Sequence, residues 1–115
     1  MKKIRVIFSP EAEKSYAELE LNAQTQKIFQ SILRSIQNKI ELIKQNPHYG
    51  EPVAKNLIPK EWTQNYGIRN LFHVELANYW RLMYSLVLGQ NENEMIAFVL
   101  DISSHPEYDK KMGYR

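Results

Sequence analysis

The chain contains no cysteine, four glycines and no long apolar run. Without cysteine there is no disulfide framework, no thiolate nucleophile and no cysteine-ligated zinc. The longest apolar stretches fall well short of the roughly 20 residues that a membrane-spanning helix needs. The first residues, MKKIRVIFSPEAEK, hold too short an apolar run for a signal peptide, so a reducing cytoplasm is the expected compartment. With so few glycines there is no P-loop, no G-x-S-x-G elbow and no dinucleotide fingerprint, and no nucleotide or other cofactor is expected. His48, His73 and His105 are widely separated and stand in no H-x-x-x-H or H-x-x-E-H pattern. Clustered carboxylates are missing too, so no metal is expected.

What is present suits one compact domain. Over 115 residues, 43% are apolar and 24% charged, far from the signature of a disordered chain. The formal net charge is +2, unevenly spread: residues 1–60 hold ten Lys/Arg against six acids, and residues 61–115 hold five against seven. That imbalance allows an anionic partner without demanding one.

Ile4, Val6 and Phe8 alternate with Lys3, Arg5 and Ile7, the period of a half-buried strand. Ser9-Pro10 is a helix start, because the hydroxyl can cap free N–H groups and proline at the first position has none to waste. A helix over about residues 10–21 follows, with Ala12, Tyr16 and Leu19 on one side. Phe29, Leu33, Ile36, Ile40 and Ile43 recur at spacings of four and three, one apolar stripe on a second helix that ends near Gln45. Residues 46–62 carry three prolines and a glycine and read as a loop with one short turn. Strands are expected at 68–76, 79–88 and 94–102, the last two joined by GQNEN. The order β-α-α-β-β-β predicts an α+β domain, an antiparallel helical hairpin packed on a mainly antiparallel four-stranded sheet.

In the strand 79–88, Trp80, Leu82, Tyr84 and Leu86 point one way, apolar enough to face the helices. Arg81 then stands mid-strand on the opposite, open face, where its fork of five N–H donors can grip a phosphate or pair with a cross-strand acid such as Glu75. Just past the last strand comes SSHPEYDKKMGYR, residues 103–115, with little to anchor it in a core. Histidine as a residue type can give or take a proton near neutrality, which makes His105 a candidate, although a lone histidine is more often a surface or hydrogen-bonding group than a catalyst. Tyr108 and Tyr114 can serve a site or simply pack.

Three stretches together look familiar: NPHYGEPVAKNL (46–57), NYWRLMYSLV (78–87) and DISSHPEYDKKMGY (101–114). The second resembles a Y-R-L-V-Y strand and the third an H-x-x-Y-D-K-x-x-G-Y ending, in the order found in the RelE/ParE superfamily of type II toxin–antitoxin toxins. The resemblance runs from residue 3 to the C-terminus. It implies a RelE-like fold and a ribosome-dependent endoribonuclease, active on mRNA and neutralised by a cognate antitoxin protein. By position, Arg81 would hold the scissile phosphate and His105 would be the acid or charge stabiliser. Tyr108 would match a tail tyrosine of several relatives, and Glu51, in EPVAKNL, would match the glutamate of the YoeB-like EPLKGNL loop as general base. Lys55, Arg69, Lys110, Lys111 and Tyr114 would contact RNA or its phosphates.

RNA is cut when its 2′-OH attacks the adjacent phosphorus, which takes a base, cations on the developing charge and an acid for the departing oxygen. Glu51, Arg81 with Lys55 or Lys110, and His105 would fill those roles without a metal, the tail folding back across the open face. Two other readings keep the fold: a ParE-like inhibitor of DNA gyrase, and a catalytically inactive protein-binding domain.

Overall fold

Ser9 turns the chain from its first strand into its first helix. In the computed structural model, which describes residues 3–112 without the side chains of residues 107–109, Lys3–Phe8 forms β1 and Pro10–Ala23 forms α1. The Ser9 hydroxyl accepts from the Ala12 N–H at 3.1 Å and donates to the Leu100 carbonyl at 3.0 Å. One side chain thus caps α1 and ties its start to a strand more than ninety residues away. After a three-residue link, α2 (Lys27–Gln45) packs against α1. Ile32, Ile36 and Ile43 of α2 are fully buried, and Phe29, Leu33 and Ile40 flank them. This is the expected stripe, widened by Ile32; each fully buried isoleucine contributes roughly 1.5–3 kcal/mol.

The remaining strands are β2 (Glu51–Pro52), β3 (Phe72–Glu75), β4 (Trp80–Leu88) and β5 (Glu94–Ser104). The sheet has five strands, ordered β1-β5-β4-β3-β2, rather than the four expected. It is mixed: β1 runs parallel to β5, and the other neighbours are antiparallel. The additional strand is two residues long and contains a proline, which an edge position tolerates and a sequence pattern hides.

The stretch expected to be a loop holds more than that edge strand. A 3-10 turn spans Lys55–Leu57, and α3 spans Lys60–Tyr66. Pro59 sits at the N-cap of α3, and Gly67 ends it in a left-handed conformation with φ of 64°. In contrast, β3 is shorter than the expected strand 68–76. Before it, the Asn70 side chain takes the place of backbone, donating to the Leu86 carbonyl at 3.0 Å and accepting from the Leu86 N–H at 2.8 Å.

Two apolar clusters lie on the two faces of the sheet. On one, Phe72, Val74, Leu82, Tyr84, Val99 and Ile102 meet the helical hairpin. On the other, Leu71, Met83 and Leu100 pack with Trp62 of α3 and Met112 of α4 (His105–Met112). The face expected to be open is therefore covered in part, by α3 and by the chain's last helix. The alternation along β4 is as expected, with Leu82 and Tyr84 toward the hairpin and Met83 away from it. Arg81, however, is the second residue of β4 rather than a mid-strand residue. Among the described residues no helix is long and apolar enough to cross a membrane.

Candidate functional site

The part of the second face left uncovered is built by β2, β3 and the start of β4. Tyr84 holds its edge in place: the hydroxyl donates to the Pro47 carbonyl at 2.7 Å and accepts from the Gly50 N–H at 3.0 Å. Burial pushes this phenol above its usual pKa, against the pull of the Gly50 N–H, so it stays a neutral donor. Gly50 has to be small, because a Cβ there would come within 2.9 Å of the Tyr84 ring and 3.0 Å of the His73 carbonyl. Residues 47–50, held in this way, deliver Glu51 to β2 opposite His73, while Glu75 of β3 stands opposite Arg81 of β4. Directly opposed residues share a face, so all four side chains emerge together.

They form a chain of contacts. The Arg81 guanidinium meets Glu75 at 3.1 Å through one terminal nitrogen and His73 Nδ1 at 3.3 Å through the other. Arginine can only donate, so Nδ1 accepts and the neutral imidazole carries its proton on Nε2. That nitrogen lies 3.5 Å from the Glu51 carboxylate. Burial first, and the Arg81 charge second, hold His73 below the ordinary histidine pKa, outweighing the opposite pull of Glu51 and Glu75.

This has a consequence for stability. The unfolded chain takes up a proton at His73 near pH 6.5, the ordinary value, whereas the folded chain resists it. Above that pH both states are neutral and the site contributes no slope; as pH falls through it, folding loses stability until the folded histidine also protonates. Thermal midpoints of wild type should therefore fall more steeply than those of His73→Asn as pH drops from 7 toward 5. Parallel curves would remove this account of the imidazole.

Two hollows adjoin, with Arg81 and Glu75 in the wall of both. One, of about 620 Å³, is also lined by Lys39, Tyr49, Glu51 and His73. The other, of about 340 Å³, is also lined by Asn78, Tyr79, Trp80 and His105. Of the residues singled out in sequence, Arg81 thus shares one hollow with Glu51 and the other with His105. Lys55 and Arg69 share a different hollow, of about 270 Å³, with Ile58, Thr63 and Ile68. Lys110 is exposed on α4. Lys111 gives its ammonium to the buried Asp101 carboxylate. Tyr114, and the side chain of Tyr108, lie outside the described residues.

No protein-family profile, curated protein or solved structure matches the chain. The chemistry open to the site follows from its own groups: an arginine fork, the Glu75 carboxylate on one of its nitrogens, a neutral imidazole linking the other to Glu51, and a second imidazole in the adjoining hollow. Among the described residues no group of three His, Asp or Glu side chains could hold a metal ion. His73 and Lys39 were not singled out from sequence. The signal for His73 was in FHVEL, where alternation puts it on the face of Glu75, and pairing with YWRL brings that face to Arg81. Lys39 sits on the helix and donates to the Tyr49 hydroxyl at 3.0 Å, a contact with no trace in local spacing.

Proposed function

We propose that the chain is the toxin of a type II toxin–antitoxin pair, a RelE-like endoribonuclease that cuts mRNA on the ribosome without a metal. The observation that carries this reading is the shared wall: Arg81 faces Glu51 in one hollow and His105 in the other. The sequence resemblance, and a helical hairpin on a sheet whose neighbours are mostly antiparallel, support it as well.

In this reading a scissile phosphate enters by replacing Glu75 on the Arg81 fork. Glu75 is the natural group to yield, since its side chain is 76% exposed while that of Arg81 is 15% exposed. His73 keeps hold of the other guanidinium nitrogen and so fixes the plane of the fork. The Glu51 carboxylate takes the proton from the 2′-OH as the O2′–P bond forms. Arg81 stabilises the charge gathering on the phosphoryl oxygens. The P–O5′ bond breaks, and a protonated His105 gives its proton to the departing oxygen. The products are a 2′,3′-cyclic phosphate and a 5′-hydroxyl end.

A ribosome would supply what this surface does not. Two cations and two carboxylates share the wall of the larger hollow, so its field holds free RNA at low salt but is not the strongly positive one that captures it at physiological salt. The antitoxin would be a co-expressed protein with an amphipathic segment that covers this face.

The test is a translating bacterial extract programmed with a defined mRNA, in which new 5′-hydroxyl ends are mapped. Wild-type protein should produce them, and His105→Ala should slow their appearance by about a hundredfold, the lower range for losing a positioned acid. Equal rates would remove His105 from the chemistry. One observation favours the inactive-domain reading: the Arg81–Glu75 pair is also what a purely structural arginine would make. That reading predicts no cleavage and no growth arrest when the chain is expressed alone.

A further inference from the structure

Between β3 and β4 the chain reverses over Ala77, Asn78 and Tyr79, closed by the Leu76 N–H to the Trp80 carbonyl at 2.8 Å and the Trp80 N–H to the Ala77 carbonyl. Both central residues are left-handed, Asn78 with φ of 59° and Tyr79 with φ of 62°. Tight hairpin turns require this, and asparagine and glycine are the residues that accept it. Asn78 fits the slot. Tyr79 does not: a bulky side chain at positive φ is an outlier. Burial does not compensate, because Tyr79 is 82% exposed. Folding alone would favour glycine at this position. The ring stands on a turn closed by two backbone hydrogen bonds, in the wall of the hollow that Arg81 and His105 also line, two residues before Arg81. Strain held in place beside a candidate site points to use rather than packing.

We propose that Tyr79 is a stacking platform for an unpaired nucleobase of single-stranded RNA, adjoining the phosphate held by Arg81. This rests on the ribonuclease reading and adds to it a base-contacting surface. A nucleotide carries a flat aromatic group one sugar away from its phosphate, and a largely exposed tyrosine in the wall of the same hollow as the Arg81 guanidinium offers partners for both. Stacking accepts any base, because each has a π-face. The platform therefore positions the strand without selecting its sequence.

The probe is a fluorescein-labelled single-stranded octaribonucleotide, titrated with purified protein at low salt and followed by anisotropy, beside the same strand with abasic residues. Tyr79→Ala should weaken binding of the intact strand about tenfold, within the range measured for removing one base-stacking aromatic, and Tyr79→Trp should retain it. On the abasic strand, wild type and Tyr79→Ala should bind alike. Tyr79→Gly should melt higher than wild type and still bind the intact strand more weakly, a pair of opposite effects that a merely structural tyrosine cannot give. The platform is overturned if wild type leaves the octamer free, or if Tyr79→Ala binds as wild type does; in the latter case the exposed ring is left to a protein partner. The cleavage reading is judged separately, by 5′-hydroxyl ends in the translating extract.

Discussion

Replacing Arg81 with alanine should reduce mRNA cleavage in a translating extract by about a thousandfold, and abolish growth arrest, while leaving the fold nearly as stable as before. The size follows from the part assigned to the side chain. Removing one donor to the transition-state charge costs about a hundred- to a thousandfold, and here the donor is a permanently charged fork. The fold survives because of what Arg81 leaves behind. Glu75 is mostly in water, so losing its partner strands no buried charge, and what is lost is an ion pair open to solvent on the carboxylate side together with the hydrogen bond to His73, about 1–2 kcal/mol. Arg81→Lys should recover only part of the rate, since an ammonium cannot hold both the phosphate and His73 in one plane. The measurement is the initial rate of 5′-hydroxyl end formation, paired with a thermal melt. Undiminished cleavage in Arg81→Ala would end the ribonuclease proposal, whereas lost cleavage with a collapsed melt would show that the arginine is structural.

Much of what positions Arg81 was legible in the sequence. Alternation in YWRLMYSL fixed which face each side chain takes, because a half-buried strand has no other way to bury Leu82 and Tyr84. The α2 stripe was equally plain, since a period of 3.6 over nineteen residues leaves one apolar side. The segment between Asn46 and Gly67 was not legible. Its order comes from contacts distant in sequence: Gly50 pressed beneath Tyr84, Pro52 tolerated only because β2 is an edge, and Trp62 buried against Met83 and Leu100. None of these leaves a periodic trace. The bridging position of His73 was hidden for the same reason, being fixed by the register of β3 against both β2 and β4.

Lys111 shows how a cation read as a phosphate contact can hold the fold together, and its removal should produce the largest loss of stability among these variants. Asp101 is buried on the second face, opposite Met83 in the register, at an irregularity where β5 carries the extra residue Leu100. Its carboxylate receives the Ser103 hydroxyl at 2.7 Å and the Lys111 ammonium. Lys111→Met keeps the aliphatic stem and deletes the charge, leaving the carboxylate with the hydroxyl alone. Breaking a buried pair from one side costs about 3–5 kcal/mol, but the Lys111 side chain is 38% exposed, and water reaching the gap should lower this to about 2 kcal/mol. For a domain of this size that is a fall of roughly 8–10 °C in thermal midpoint. Adding Asp101→Asn should restore most of it, because an amide has no charge to strand. Since Met112, next in the chain, packs with Trp62 and Leu100, the clamp also seats α4, whose first residue is His105. Lys111→Met should therefore slow cleavage at temperatures where the rest of the molecule is still folded. A melt within one or two degrees of wild type would mean that the ammonium is free for another partner, and the expectation of an RNA contact at Lys111 would stand in its place.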